Sequence, residues 1–183
     1  MKTVKRIIAS FILVTSVLSC SSDEDTTSAN CGDVVNQQAQ GNVQGFEYIN
    51  KGGTYTELSN GEYNCAIFIQ EPIGGSCFFP DFEPINEELI EVKILFGLKE
   101  LKPQTITFSD TAEIGGTLEN TLNFNAIIND KDTNTNYTDA ELATCGTLEI
   151  IEIKDNTITG KIIAEGQKGS SINGNFTLDF CEF

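Results

Sequence analysis

The stretch Ile172-Asn173-Gly174-Asn175-Phe176-Thr177-Leu178-Asp179-Phe180 alternates between two kinds of residue along its whole length. Every second position carries an apolar side chain or a glycine, and the positions between them carry Asn, Thr or Asp. Because successive side chains of a strand point to opposite faces, this alternation predicts a β-strand with one buried face. Gly174 stands in the buried row, which predicts a close approach of another backbone there.

The segments just before this stretch follow the same pattern and predict a three-strand meander. In Thr157–Ala164 the inner face would carry Ile158, Gly160, Ile162 and Ala164. Asp155-Asn156 has the composition of a two-residue hairpin turn, and Gly166–Gly169 that of the next turn.

The first strand of this meander, Thr147–Lys154, changes phase within its length. Leu148 and Ile150 share one face, whereas Ile151 and Ile153 share the other. Either a β-bulge or a strand buried on both faces would produce this change.

Further upstream, shorter rows of alternating residues predict the rest of a sheet. They are Cys65–Ile69, Ile90–Phe96, Ile106–Phe108 and Leu122–Ile128, with Asn42–Ile49 as a weaker strand candidate. Turn residues separate these rows, and no helical period is sustained. We therefore expect an all-β domain, an antiparallel sandwich or small barrel of about eight or nine strands.

The composition narrows the range of functions. The chain has 27 acidic and 11 basic residues, a net charge of −16, and no His or Trp. A protein this acidic lacks the basic surface that nucleic acids require. Catalysis by a Ser-His-Asp or Cys-His arrangement and zinc binding by His are excluded. Paired carboxylates, as in glycoside hydrolysis, are the enzyme chemistry that remains open.

The N-terminus has the organisation of a secretory signal. Lys2, Lys5 and Arg6 precede an apolar run of eleven residues, Ile7–Val17, which is too short to span a bilayer as a helix. Leu18-Ser19-Cys20 then resembles a bacterial lipobox. The following Ser21-Ser22-Asp23-Glu24-Asp25 is similar to the acidic export signal of surface lipoproteins of the Bacteroidota.

This resemblance implies a mature protein that begins at Cys20 and is anchored by acyl chains, palmitate among them, on that residue. It implies the outer membrane with the domain facing the medium, and a domain facing the periplasm is the alternative. The closing strand and Leu101–Phe108 also resemble strands of small, uncharacterised lipoproteins of this type, which brings no activity. We expect a signal peptide at 1–19, a flexible acidic tether at 20–35 and one β domain at 36–183.

Six cysteines fit an exported protein with disulfides. With lipid on Cys20, five remain, and two bridges among five cysteines can be drawn in about fifteen ways. We expect Cys31 to stay unpaired on the tether and Cys65–Cys77 to be a local bridge. The disulfide candidates are therefore Cys65, Cys77, Cys145 and Cys181.

The segment Asn129–Glu141 is the candidate metal site. Oxygen-bearing residues recur in it at nearly the spacing of a calcium-binding loop, although Thr135 stands where such a loop needs glycine. The predicted ligands of Ca²⁺ are Asp130, Asp132, Asn134, Asn136, Thr138 and Glu141. An ordinary solvated hairpin loop is the alternative.

The segment Cys77–Pro84 is the candidate contact surface. Its three rings, Phe78, Phe79 and Phe82, would either meet a partner or cover the end of the β domain. We expect a non-catalytic module that binds an extracellular protein or glycan. The alternatives are an acidic inhibitor of a cationic protein such as a lysozyme, and a carboxylate-based hydrolase.

Overall fold

A computed structural model describes residues 31–77, 79–109 and 120–182. These residues form strands and turns, and none of them is helical. The twelve strands are β1 (Gln40–Val43), β2 (Phe46–Ile49), β3 (Gly52–Glu57), β4 (Tyr63–Phe68), β5 (Pro72–Gly75), β6 (Pro80–Phe82), β7 (Leu89–Leu98), β8 (Gln104–Ser109), β9 (Leu122–Asp130), β10 (Thr135–Lys154), β11 (Thr157–Gly166) and β12 (Ser171–Phe180).

The main sheet closes on itself and forms a barrel. Its strands pair in the order β11, β10, β9, β7, β4, β3 and β12, and β12 pairs with β11 again. All of these pairs are antiparallel except β12 with β3, which run in parallel and match Phe180 with Tyr55. This parallel pair makes the sheet mixed, whereas the sequence predicted an antiparallel one.

Three further elements are attached to the barrel. Strand β8 pairs with the second half of β10, whose first half pairs with β9. The hairpin β1–β2 extends the sheet from the beginning of β12. Strands β5 and β6 form a small sheet of their own.

The predicted meander is confirmed as β10, β11 and β12. Asp155 and Asn156 both have positive φ, 50° and 63°, as a two-residue hairpin turn of type I′ requires. The phase change in β10 is a bulge, because the register with β11 shifts between Ile150 and Glu152. Ile151 is consequently turned outward and is 46% exposed.

The alternating rows of the sequence line the interior of the barrel. Ile172, Phe176 and Leu178 are buried, and the ring of Phe176 meets Phe96 edge-on with 5.9 Å between centroids. A Cβ on Gly174 would lie 2.7 Å from the Cα of Ala39, so the predicted close backbone approach is confirmed. Burial of rows like these is the main stabilising contribution, at about 1.5–3 kcal/mol per large side chain.

The sequence underestimated the number of strands. The expected single strand Asn42–Ile49 is in fact a hairpin that turns at Gln44 and Gly45, where φ is 54° and 82°. Strands β5 and β6, which are also short, were not predicted as strands. Short hairpins carry too few residues for a period of two to be recognised.

The expected disulfide Cys65–Cys77 is wrong. The bonds are Cys31–Cys145 and Cys77–Cys181, with Cα–Cα distances of 5.7 and 5.6 Å. Cys65 is the free thiol among the described cysteines, because it points from β4 into the core, where it is fully buried. Burial raises the pKa of this thiol far above its ordinary value.

Cys31, which we expected to be unpaired on the tether, is thus bonded to β10. Other contacts fasten the following residues: the Val35 amide donates to the side chain of Asn173, and the Ala39 amide donates to the carbonyl of Asn175. The chain is therefore attached to the barrel from Cys31 onward, ahead of the expected boundary at residue 36.

Candidate functional site

The structure divides the residues of the predicted calcium site between a turn and a strand. Asp130 ends β9, and Asp132 and Asn134 lie in or beside the turn that follows. The other three, Asn136, Thr138 and Glu141, lie along β10. Since a strand rises by about 3.3 Å per residue, Glu141 is on the order of 20 Å from the turn. The six residues, of which Asn136 was expected to offer its backbone carbonyl, therefore do not surround one point.

Glu141, one of the predicted calcium ligands, instead forms hydrogen bonds within the protein. It is 3% exposed, and its carboxylate accepts hydrogen bonds from the backbone amide of Lys168 and the hydroxyl of Ser170. Both donors belong to the β11–β12 connection. Glu141 thus holds this connection against the barrel.

The segment Cys77–Pro84 contributes the turn and the second strand of the hairpin β5–β6, and one of its rings packs on the main sheet. Phe82 packs on Phe68 of the barrel with 5.3 Å between ring centroids, and the Lys93 ammonium lies 5.4 Å from the centre of the Phe82 ring. Phe79 is 70% exposed, and Phe78 lies outside the described residues. The predicted rings therefore divide between covering the sheet, as Phe82 does, and facing solvent, as Phe79 does.

A cleft lies where the parallel strands β3 and β12 end side by side. The Cys181 amide donates to the Tyr55 carbonyl at 2.7 Å, which continues the parallel pairing past the end of β12. The loop after β3 forms the opposite wall, closed by a hydrogen bond from the Leu58 amide to the Glu62 carbonyl. The cleft has a volume of about 840 Å³ and is lined by Thr56, Glu57, Leu58, Ser59, Asn60, Phe180 and Glu182.

The apolar part of the cleft rests on a cluster of aromatic rings. The ring of Phe180 lies 5.3 Å from that of Tyr55, which lies 6.4 Å from the ring of Tyr63. Burial, with smaller contributions from Cys65, Tyr63 and Asp179 nearby, raises the pKa of Tyr55. Tyr55 thus provides a buried aromatic surface against which Phe180 packs.

The lining also has five polar residues, which are Thr56, Glu57, Ser59, Asn60 and Glu182. The Thr56 side chain is 4% exposed, and its hydroxyl oxygen is buried without a hydrogen-bond partner in the described part of the chain. Such an unpartnered group is costly unless something bonds to it. Glu57 and Glu182 are exposed at the rim.

A disulfide fastens the cleft to the hairpin β5–β6. Cys181 lies between the lining residues Phe180 and Glu182, and its partner Cys77 lies in the hairpin turn. The exposed side chains Ile73 and Phe79 belong to this hairpin. The disulfide therefore ties a hairpin with two exposed apolar side chains to the strand end that lines the cleft.

The sequence did not reveal this cleft. Phe180 continues the alternation of β12 and was expected on the inner face, yet it is 37% exposed because it lies where the strand leaves the barrel. The turn residues Ser59-Asn60-Gly61 were a usable signal for the loop. Their proximity to Phe180 depends on the parallel pairing of β3 and β12, which no local pattern indicates.

Among the described residues, one further cluster has metal-ligand types, and it is formed by Cys31, Cys145 and Glu165. Both sulfurs are bonded to each other in a disulfide, so they are not available as thiolate ligands. The part of the chain that the structure describes contains no helix long and apolar enough to cross a membrane. The predicted lipobox, with Cys20 and the acidic residues that follow, lies outside the described residues.

Comparison with known proteins gives no relative. No protein-family model, no curated protein and no solved structure matches the chain. The class that fold and site define is thus an all-β barrel with a surface cleft, and its function has to be inferred from that cleft.

Proposed function

We propose that this protein is a lipid-anchored lipoprotein of the outer cell surface whose barrel is a non-catalytic binding module. The cleft at the ends of β3 and β12 is its binding site. The observation that supports this best is the mostly apolar lining of a cleft about 840 Å³ in volume, a size typical of ligand sites. The lipobox at Leu18-Ser19-Cys20 supports the anchor.

The surroundings of the carboxylates favour binding over hydrolysis. A carboxylic acid that protonates a leaving group works from a buried setting that keeps it protonated. Glu57 and Glu182 are both exposed. Glu141, the buried carboxylate of the described residues, accepts hydrogen bonds from two donors of the protein itself.

A neutral, apolar dye tests the cleft directly. Residues 21–183 are titrated with Nile red, whose fluorescence rises in apolar surroundings. We expect binding that Phe180→Ser weakens by about tenfold, since the substitution removes most of the apolar wall. Ile151→Ser, which removes an exposed apolar side chain from β10, is the matched control and should leave binding unchanged. Equal effects of both variants would contradict a site in the cleft.

The anchor is tested with the full chain in a bacterial host that processes lipoproteins. We expect the mature protein to incorporate labelled palmitate and Cys20→Ser to abolish incorporation. Protease added to intact cells should then digest the domain if it faces the medium. Labelled protein that resists protease until the outer membrane is opened would place the domain in the periplasm.

A further inference from the structure

We infer that the occupant of the cleft is a cationic, partly apolar segment of another protein, in which a lysine or arginine neighbours an apolar side chain. This inference rests on the proposed function, because it names the chemical class of partner for the same cleft. It goes beyond that function in assigning a role to the charges at the rim.

The first argument is the charge of the lining. Its two titratable side chains, Glu57 and Glu182, are both acidic, and none of its described residues is a lysine. Lysines elsewhere pair with acids outside the cleft, as in the ion pairs Lys93–Glu91, Lys102–Glu100, Lys131–Glu87, Lys131–Glu88 and Lys168–Asp139. The rim carboxylates thus have no described ion pair and are available to a cation from outside.

The second argument is the hydroxyl of Thr56, a residue that lines the cleft. Its oxygen is buried and lacks a partner among the described residues. An ammonium or guanidinium group carries several N–H donors and accepts none. A cationic group that reached this oxygen from the cleft would supply the hydrogen bond that it lacks.

The third argument is the size and apolar character of the cleft. A bare metal ion would contact only oxygen atoms and would leave the apolar surface uncovered. Calcium takes six to eight oxygen ligands at about 2.3–2.6 Å, whereas this cleft offers two exposed carboxylates beside Leu58 and Phe180. The exposed side chains of Ile73 and Phe79 lie on the hairpin that the disulfide ties to Cys181. A segment of a protein can cover both areas, and a small amine can cover one.

The fourth argument is long-range attraction. The chain carries a net charge of −16, and a field of this sign accelerates the approach of a cationic partner and is weakened by salt. Rim charges mainly set the rate of association and the salt dependence. The apolar wall then supplies contact area once the partner has arrived.

The test uses residues 21–183 and calorimetric titration with a short peptide of alternating lysine and phenylalanine. We expect binding that weakens with salt and that Glu57→Gln with Glu182→Gln reduces by about tenfold. The control is Glu149→Gln with Glu152→Gln, which changes the net charge equally at exposed positions of β10 and should change affinity by less than about twofold. Because all four carboxylates are exposed, thermal melts should show the same fold in both variants.

Other probes separate the contribution of charge from that of apolar contact, and they distinguish failure of this inference from failure of the proposed function. A peptide with serine in place of phenylalanine, and one with glutamate in place of lysine, should both bind far more weakly. Equal losses in the two double variants, or tight binding of hexylamine alone, would overturn the inference. Nile red binding without peptide binding would refute the inference and leave the proposed function standing, and loss of both would refute both.

Discussion

The exposed turn between β9 and β10 and the first buried position of β10 hold carboxylates with opposite surroundings. In the turn, Asp130 accepts hydrogen bonds from the Asp132 amide at 2.9 Å and the Thr133 hydroxyl at 2.8 Å. In the strand, Glu141 is enclosed and accepts from two groups of the β11–β12 connection. The same spacing rule assigned both to one calcium loop. The comparison teaches that ligand spacing has a meaning only after the backbone conformation is known.

The two carboxylates also differ in what their hydrogen bonds stabilise. The hydrogen bonds that Asp130 accepts lower the pKa of its carboxyl group, and the bond from Thr133 contributes more than the bond from Asp132. The side chain is nevertheless partly exposed to water. When Asp130 is removed, water can accept hydrogen bonds from the Asp132 amide and the Thr133 hydroxyl. The loss in the free energy of unfolding is therefore small. Glu141 satisfies donors at a site that water does not reach, so its removal leaves them unpartnered. We therefore expect a large difference between substitutions in the two regions.

The largest effect is expected for Glu141→Ala. The variant leaves the Ser170 hydroxyl and the Lys168 amide without an acceptor and opens a cavity, at a cost of about 3 kcal/mol in the free energy of unfolding. Urea denaturation of residues 21–183 measures it. Glu149→Ala, which removes an exposed carboxylate from the same strand, is the control and should stay within about 0.5 kcal/mol. Similar losses in both variants would show that Glu141 is not enclosed as described.

Gly166→Ala tests the fit around Glu141 from the other side. A Cβ at this glycine would collide with the Glu141 carboxylate, so we expect a loss of about 1–3 kcal/mol. In the Glu141→Ala background the collision disappears, and Gly166→Ala should then cost much less. Additive losses in the double variant would contradict a contact between these two residues.

The sequence predicted the parts of the fold that depend on local pattern. Alternation over whole strands located β7, β9, β11 and β12, because burial of one face leaves a period of two in the sequence. Asp155-Asn156 marked its turn because few other residue pairs adopt positive φ at both positions. The bulge at Ile150 was visible because it moves apolar residues to the other face.

The features that depend on contacts between residues far apart in the sequence could not be predicted from local patterns. The parallel contact of β3 with β12 brings Leu58 beside Phe180, and no local pattern records that contact. The disulfides join residues separated by 114 and 104 positions, and cysteine spacing gives no information at that range. The predicted calcium ligands are divided between a turn and a strand for a related reason, since the spacing of oxygen-bearing residues does not show where a loop ends and a strand begins.

A smaller effect than those at Glu141 is expected at the end of the turn. Asn134 has a φ of 52°, a conformation that asparagine tolerates and β-branched residues resist. Asn134→Val should therefore cost on the order of 1–2 kcal/mol in the free energy of unfolding. Asn134→Gly, measured in the same denaturation series, should be nearly neutral, because glycine adopts this φ freely. A loss in the glycine variant equal to that in the valine variant would show that the asparagine side chain, and not φ, matters.

The smallest effect is expected for Asp130→Ala with Asp132→Ala. Both oxygens of Asp130 already accept hydrogen bonds within the turn, and Glu141 lies on the order of 20 Å away along the strand. We therefore expect a loss below about 0.5 kcal/mol and the same thermal midpoint in calcium as in EDTA, for both proteins. Metal that binds only the folded state raises the midpoint. A rise in calcium for the original chain that the variant lacks would mean that Asp130, Asp132 and their neighbours recruit ligands beyond this strand, and the turn would then be a calcium site despite the position of Glu141.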